Sequence, residues 1–546
     1  MDMHPYLSAT GTISSKIIPT PFQTKHAHGI PILQRMGLTP GERLYWENYN
    51  TTTFFNTTLG KPSALKCHIT TLLLSFLLVY PICLVFDNYN KNWYFMFLSV
   101  NQILFSISYI SLFVYISTFP NSDIWYPHNI YFKVFTILFI ITTLYFVFYC
   151  YLHNSKISIP HKRNEYMAME CMSPGSEHLQ TNNGNSSEED LYTLTPSENQ
   201  SYEEIDIMTS NNKYNFNLTN TNTNLFVKFM YYFVKIFNIL LLFFMAIDIF
   251  IGLAIGCLFG KEERIFNLLA HWIKGGVFVI LGVISVGRYC GNGKTYGWAW
   301  NSIAFTRKQL KEDSAWGNLT PQGTITMETV EAGLILFYGC TNVFLEHLAG
   351  AGGAWTAKDL QHASIAFMYI GTGLCGVLIE AQTNKWRYEK AKELLNENNH
   401  QDEEIVCASP GYSPNPFPAL TIFWTGILMS QHAQPSELST KVHSQWGYLF
   451  SYGSLFRILT YIIFYLKPVK NQRPTRPITE LITSFCLISG GVIFMESTDQ
   501  VIEAMEYRGF TPMFTLNVSV GISTLFIGWL MILFMWKQKL NDRQLN

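Results

Sequence analysis

Residues 130–152 read IYFKVFTILFIITTLYFVFYCYL and carry a single charge, Lys133. At 1.5 Å per residue a helix of that length covers about 34 Å, enough to cross a hydrocarbon core of ~30 Å. A window of about twenty residues finds about eleven such segments, at 66–86, 93–118, 130–152, 236–259, 267–288, 329–348, 361–381, 417–434, 446–466, 478–497 and 514–536. A backbone facing lipid must satisfy its own hydrogen bonds, so each segment is expected as a helix. Lys228 and Lys235 interrupt 225–235 and leave that stretch open between membrane and interface.

Composition agrees. Lys and Arg number 37 and Asp and Glu 38, so charged residues make up 14% of the 546-residue chain, against roughly 25% in an ordinary soluble domain. Hydrophobic residues reach 48% and aromatics 15%. Too few charges are present to clothe a soluble protein of this size. The net charge of −1 excludes a strongly basic nucleic-acid binder, so the expected partner is the lipid bilayer. The ten cysteines include no CxxC pair and are expected as small buried hydrophobes.

The reading is thus all-α, a polytopic integral membrane protein with its helices in a 3+8 arrangement. Residues 1–65 form a tail and 66–153 a three-helix block. Residues 154–224 form a polar loop rich in Ser, Thr, Asn and Glu, expected to be disordered. Residues 225–540 form an eight-helix block, and 541–546 a second tail. A further polar connector, partly helical, spans 382–416.

Basic residues set the orientation. Loops 289–328, 382–416 and 467–477 share one face with Lys294, Arg307, Lys308, Lys311, Lys385, Arg387, Lys390, Lys392, Lys467, Lys470, Arg473 and Arg476. The opposite face carries only Lys261, Arg264, Lys358, Lys441 and Arg508. The first face is therefore read as cytosolic. Counting spans places the N-terminus outside and the C-terminus inside. The sequons Asn50-Thr-Thr and Asn56-Thr-Thr then face the lumen or exterior, where glycosylation occurs. A secretory-pathway membrane follows.

The same parity puts several histidines on one rim. His271 opens the fifth span, Glu346-His347 close the sixth and His362 opens the seventh, while His432 and His443 flank the short eighth-to-ninth connection. His68 and His128 open the first and third spans on that face too. Imidazoles with a carboxylate from separate helices suit a transition metal. His, Trp and Tyr also serve as interfacial anchors, so a purely structural role stays open. Polar residues further stripe the sixth and seventh spans, among them Glu331, Tyr338, Asn342, Glu346 and Glu380. Such stripes line a proton path or act as interhelical glue. Arg457, deep in the ninth span, needs a partner, and Glu331 or Glu380 is expected.

The stretches MGLTPGERLYWENYNTTTFFNTTLG (36–60), WYPHN (125–129), HWIKGG (271–276), RYCGNGKTYGWAWN (288–301), YGCTNVFLEH (338–347) and HAQPSELSTKVHSQW (432–446) resemble the fungal "yeast putative transmembrane protein" family. That likeness covers about 36–153 and 262–540 and implies architecture rather than chemistry. The first block, with His68-Ile-Thr-Thr and Tyr80-Pro81, also looks like the opening helix of cytochrome b561-type domains. It implies His68 and His128 as ligands of a single haem b, the other histidine pair of those domains being absent. The second block, with His271-Trp-Ile-Lys-Gly and Gln361-His362, is similar to the animal transmembrane protein 45 family, which implies a histidine-rich module.

The expected function is membrane redox or metal handling. A transition metal would sit on His271, Glu346, His347, His362, His432 and His443, and one haem on His68 and His128. A structural or trafficking protein and a proton-coupled transporter are the alternatives. No catalytic motif is present.

Overall fold

The structure is a computed structural model that describes residues 17–87, 89–120, 125–126, 129–155, 225–293, 297–300, 303–306, 325–345, 354–355, 357–397, 405–408, 415–431, 434–467 and 475–545. The polar loop 156–224 and residues His128, Glu346, His347 and His432 lie outside the described residues.

Helices dominate, in the order α1 (Pro40–Glu47), α2 (Pro62–Phe86), α3 (Lys91–Thr118), α4 (Ile130–Asn154), α5 (Leu225–Gly256), α6 (Arg264–Tyr289), α7 (Met327–Leu345), α8 (Ala357–Glu397), α9 (Phe417–Ser430), α10 (Glu437–Leu466), α11 (Ile478–Glu496), α12 (Asp499–Arg508) and α13 (Pro512–Leu545). Among the described residues, nine helices are long and apolar enough to cross a membrane. The two remaining expected spans coincide with α7, which has the same 19 residues as α11, and with the shorter apolar helix α9. The stretch 225–235 continues α5 without a break. The all-α reading of the spans holds, and the one strand pairing among the described residues lies outside them. Ile303–Thr306 (β1) and Ile405–Ala408 (β2) pair antiparallel, Ile303 opposite Ala408 and Thr306 opposite Ile405. Both strands lie in connectors, and the apolar spans remain helical.

Chain order does not dictate grouping. The core built on α2, α3 and α4 also takes Tyr231, Val234, Leu241 and Met245 from α5. Polar contacts fix this helix there. Tyr80 Oη donates to the Asn238 carbonyl at 2.6 Å, and Tyr94 and Tyr145 bond each other at 2.6 Å beside Asn238 Oδ1. The long polar loop had placed α5 with the second block, whereas its side chains pack it onto the first.

Pro81 explains a distortion in α2. It has no N–H to return to Leu77, and the helix widens into a π turn over Ser75–Val79. The released Leu77 carbonyl accepts Trp529 Nε1 of α13 at 2.9 Å. A helix defect thus ties the last span to the first block.

In the second block α6 crosses α11 where Gly275 meets Gly491. A Cβ on Gly275 would stand 2.6 Å from the Gly491 carbonyl oxygen, and one on Gly491 2.7 Å from that of Gly275. Only hydrogen in place of a side chain permits this approach.

Ahead of the spans, residues 17–60 are folded. Thr39 and Glu42 close a capping box at the start of α1. Glu42, fully buried, accepts the backbone N–H groups of Gln23 and Thr24 at 2.8 Å and of Thr39 at 2.9 Å. Burial alone would raise its carboxyl, but these backbone donors at Thr39, Thr24 and Gln23 hold it down at about 2. The segment docks on α12: Arg35 Nη2 reaches Glu506 Oε2 at 2.7 Å, and Tyr49 lies against Tyr507.

Candidate functional site

The rim where α6, α10 and α11 meet holds two of the expected metal ligands. The His271 and His443 rings stand 5.9 Å apart between centroids, at 89°. In each, Nδ1 bonds the carbonyl four residues earlier, Asn267 or Ser439, at 2.8 Å. A carbonyl only accepts, so Nδ1–H is the donor in each of these bonds, and the Ser439 hydroxyl lies 3.4 Å from His443 Nδ1 as well. Phe494 of α11 packs edge-on against His271 and stacks on Trp446, which fixes the floor of the site. Trp272 Nε1 donates to Thr498 Oγ1 at 3.2 Å, and the Asp499 amide donates to Asn267 Oδ1 at 3.1 Å. Both contacts join the start of α6 to the turn after α11.

His362 is half-buried in α8. Glu346, His347 and His432 lie outside the described residues. Among the described residues, no group of three or more His, Cys, Asp or Glu side chains is placed to hold a metal ion. The structure therefore brings His271 and His443 together.

His68 sits apart from that rim, buried among α2, α3 and α4. Its Nδ1 lies 2.8 Å from Ser108 Oγ and 3.1 Å from the Ser108 carbonyl, and its Nε2 lies 2.9 Å from Tyr131 Oη. Tyr131 and Phe135 close over the ring edge-on. Both ring nitrogens have protein partners, and His128, the second expected haem ligand, lies outside the described residues.

A buried ionic network joins five helices of the second block. Arg457 (α10) donates to Glu331 (α7) at 2.8 and 3.0 Å and to Glu480 (α11) at 3.0 Å. Arg288 (α6) pairs with Glu328 at 2.7 Å, its guanidinium 4.0 Å from the Trp300 ring centre. Glu380 pairs with Arg387 of its own helix at 3.0 Å and accepts Thr326 Oγ1 at 2.7 Å. Of the partners expected for Arg457, Glu331 serves and Glu380 does not. Glu480 was missed: an acid in a first helical turn has an ordinary place beside the positive end of the dipole, so it gave no signal. Asp248 was missed as well, although a lone acid inside the apolar run of α5 is itself a signal.

The family model described as "Protein YTP1-like, C-terminal" matches residues 244–538. An uncharacterized membrane protein of Saccharomyces cerevisiae, YCR061W, is 46% identical over 96% of this chain and 90% of its own length. The chain belongs to the YTP1-like family of membrane proteins. A second family model, a domain of unknown function (DUF2427), matches residues 48–154. An uncharacterized membrane protein of Schizosaccharomyces pombe, C3B8.06, is 43% identical over 49% of this chain and 51% of its own length. Protein YTP1 of S. cerevisiae is 24% identical over 48% of this chain and 45% of its own length. No solved structure matches. The YTP1-like match begins within α5, the helix that packs on the first block. In this family member the chain is a multi-pass helical protein of the lipid bilayer.

Proposed function

We propose that the protein is a metal-handling membrane protein that binds a transition metal at its extracytosolic rim through His271 and His443. Glu346, His347, His362 and His432 are the candidate further ligands. The carrying observation is the pair of imidazoles, contributed by helices far apart in sequence, with ring centroids 5.9 Å apart and each Nδ1 held by its own helix carbonyl. Such a backbone bond to the second ring nitrogen is the usual way a ligating histidine is oriented. The likeness to the animal transmembrane protein 45 family supports a histidine-rich module here.

In this reading the chain crosses the membrane about eleven times, with the N-terminus outside and the C-terminus in the cytosol of a secretory-pathway membrane. The exposed sequons Asn50 and Asn56 support glycosylation of the folded N-terminal segment. The test is elemental analysis of detergent-purified protein after exposure to zinc, copper, iron or nickel, beside His271→Ala and His443→Ala. Bound metal should fall in each variant. Equal metal content in wild type and both variants would leave the histidines as interfacial anchors and sink the reading.

A further inference from the structure

Four residues from α2, α3, α4 and α5 form a buried hydrogen-bonded chain that the metal reading does not use. Ser108 Oγ lies 2.8 Å from His68 Nδ1, His68 Nε2 lies 2.9 Å from Tyr131 Oη, and Tyr131 Oη lies 3.4 Å from Asp248 Oδ2. Asp248 is 2% exposed and its Oδ1 has no hydrogen-bond partner. Tyr131 is the titratable group that touches it from α4, and His68 of α2 stands one step behind. The contribution of α3 at this level is Ser108, with Tyr109 turned away onto Phe132, Phe135 and Phe139. Lys66 of α2 and Lys133 of α4, the nearest cations along those helices, are exposed. Among the described residues an acid so placed has no counter-ion within the bundle, and a proton is the one we assign to it.

The contacts around His68 admit two complete arrangements. With Asp248 ionised, Tyr131 O–H donates to Asp248, His68 Nε2–H donates to Tyr131 Oη, and Ser108 O–H donates to His68 Nδ1. With Asp248 protonated, every arrow reverses. Asp248 O–H donates to Tyr131, Tyr131 O–H donates to His68 Nε2, and His68 Nδ1–H donates to the Ser108 carbonyl at 3.1 Å. The Ser108 hydroxyl then turns to the His68 carbonyl, 3.2 Å away. No heavy atom needs to move. A histidine with a donor and an acceptor both in reach of one ring nitrogen is what such a reversal requires.

We infer that this chain is a proton relay whose ligand is a single proton, resident on Asp248. A proton that reaches His68 Nδ1 releases the Nε2 proton to Tyr131 Oη, and Tyr131 passes its own proton to Asp248. One proton enters, one comes to rest on the carboxyl, and His68 changes tautomer without becoming charged. This activity lies in the first block and is independent of the metal site.

The test is solid-state 15N NMR of histidine-labelled full-length protein in lipid bilayers, with the His68 signal assigned by its loss in His68→Gln. The His68 ring should be Nδ1–H at acidic pH and Nε2–H at alkaline pH. Asp248→Ala and Tyr131→Phe should each hold it as Nδ1–H throughout. A single tautomer across the range in the wild type would overturn the relay. So would a doubly protonated ring at acidic pH, or a switch that survives in Asp248→Ala. The wild-type titration decides the matter even if a variant does not fold.

Discussion

Arg457 Nη1 stands 2.8 Å from Glu331 Oε1, across 126 residues of sequence, while Nη2 of the same guanidinium holds Glu480 at 3.0 Å. All three side chains are at least nine-tenths buried. One cation therefore pins α7, α10 and α11 together. Removing it strands two carboxylates in a place water does not reach. Arg457→Leu should cost on the order of 3–5 kcal/mol, the usual penalty for breaking a buried pair from one side. Thermal unfolding followed by fluorescence-detected gel filtration should show a large loss. Arg457→Leu combined with Glu331→Gln should recover part of it, since one stranded charge is then gone. No recovery would mean that Glu480 alone is the partner that matters.

The Gly275–Gly491 crossing makes a different demand. The obstacle there is backbone, which cannot swing aside as a side-chain tip would. Gly275→Ala should force α6 and α11 apart, at about 1–3 kcal/mol for an overpacked contact. Gly276, one position on, faces open space, and Gly276→Ala should be nearly silent. Melting temperatures of the two variants, measured side by side, check the contrast. Equal losses would show that the helix backbone, rather than the crossing, is what alanine disturbs.

These two sites show what the sequence makes legible. Spans such as Ile130–Asn154 were readable because lipid imposes a long apolar run whatever the neighbours are. The need of Arg457 for an acid was readable because a charge at that depth must be paired, and Glu331 was named. Which acids answer depends on helix rotation, and that is a tertiary property. Arg387 claims Glu380 from seven residues along its own helix, leaving Glu480 to complete the set. Span parity puts His271 and His443 on one face, but their approach to 5.9 Å depends on how α6 and α10 pack. The placement of α5 was not readable, because a long polar loop separates it from α4 in sequence while Asn238 and the tyrosines around it act only in space. The fold of the N-terminal segment is hidden from the sequence for a related reason. Its hub is a glutamate, and a polar residue at the centre of a small fold is indistinguishable in sequence from one in solvent.

That segment is fastened to α12 by Arg35 and Glu506, 471 residues apart and both buried. Arg35→Ala should release residues 17–60 from α12 while leaving the spans intact. Hydrogen exchange should rise across 30–50 with little change in 267–289, and limited proteolysis should cut in the released stretch. Glu506→Gln, which keeps shape and one hydrogen bond, should give a weaker version of the same pattern. Unchanged exchange in both variants would assign the docking to the aromatic contact of Tyr49 with Tyr507 instead.

The fold of the same segment should also depend on pH, and with a definite sign. The Glu42 carboxyl is held at about 2 against an ordinary 4.5, by backbone N–H groups that favour its ionised form over the opposing effect of burial. A carboxyl depressed on folding contributes its stability above the unfolded value, and that contribution drains away as pH falls through the folded one. Protection of residues 20–47 should therefore be flat at neutral pH, begin to decline below about 4.5 and be lost toward about 2. Loss on raising the pH instead would contradict the assignment. Glu42→Gln keeps the shape but gives up the charge that the three N–H groups hold. It should show low protection of this segment at every pH, with the acid step gone. A step of undiminished size in Glu42→Gln would move the titration to another group.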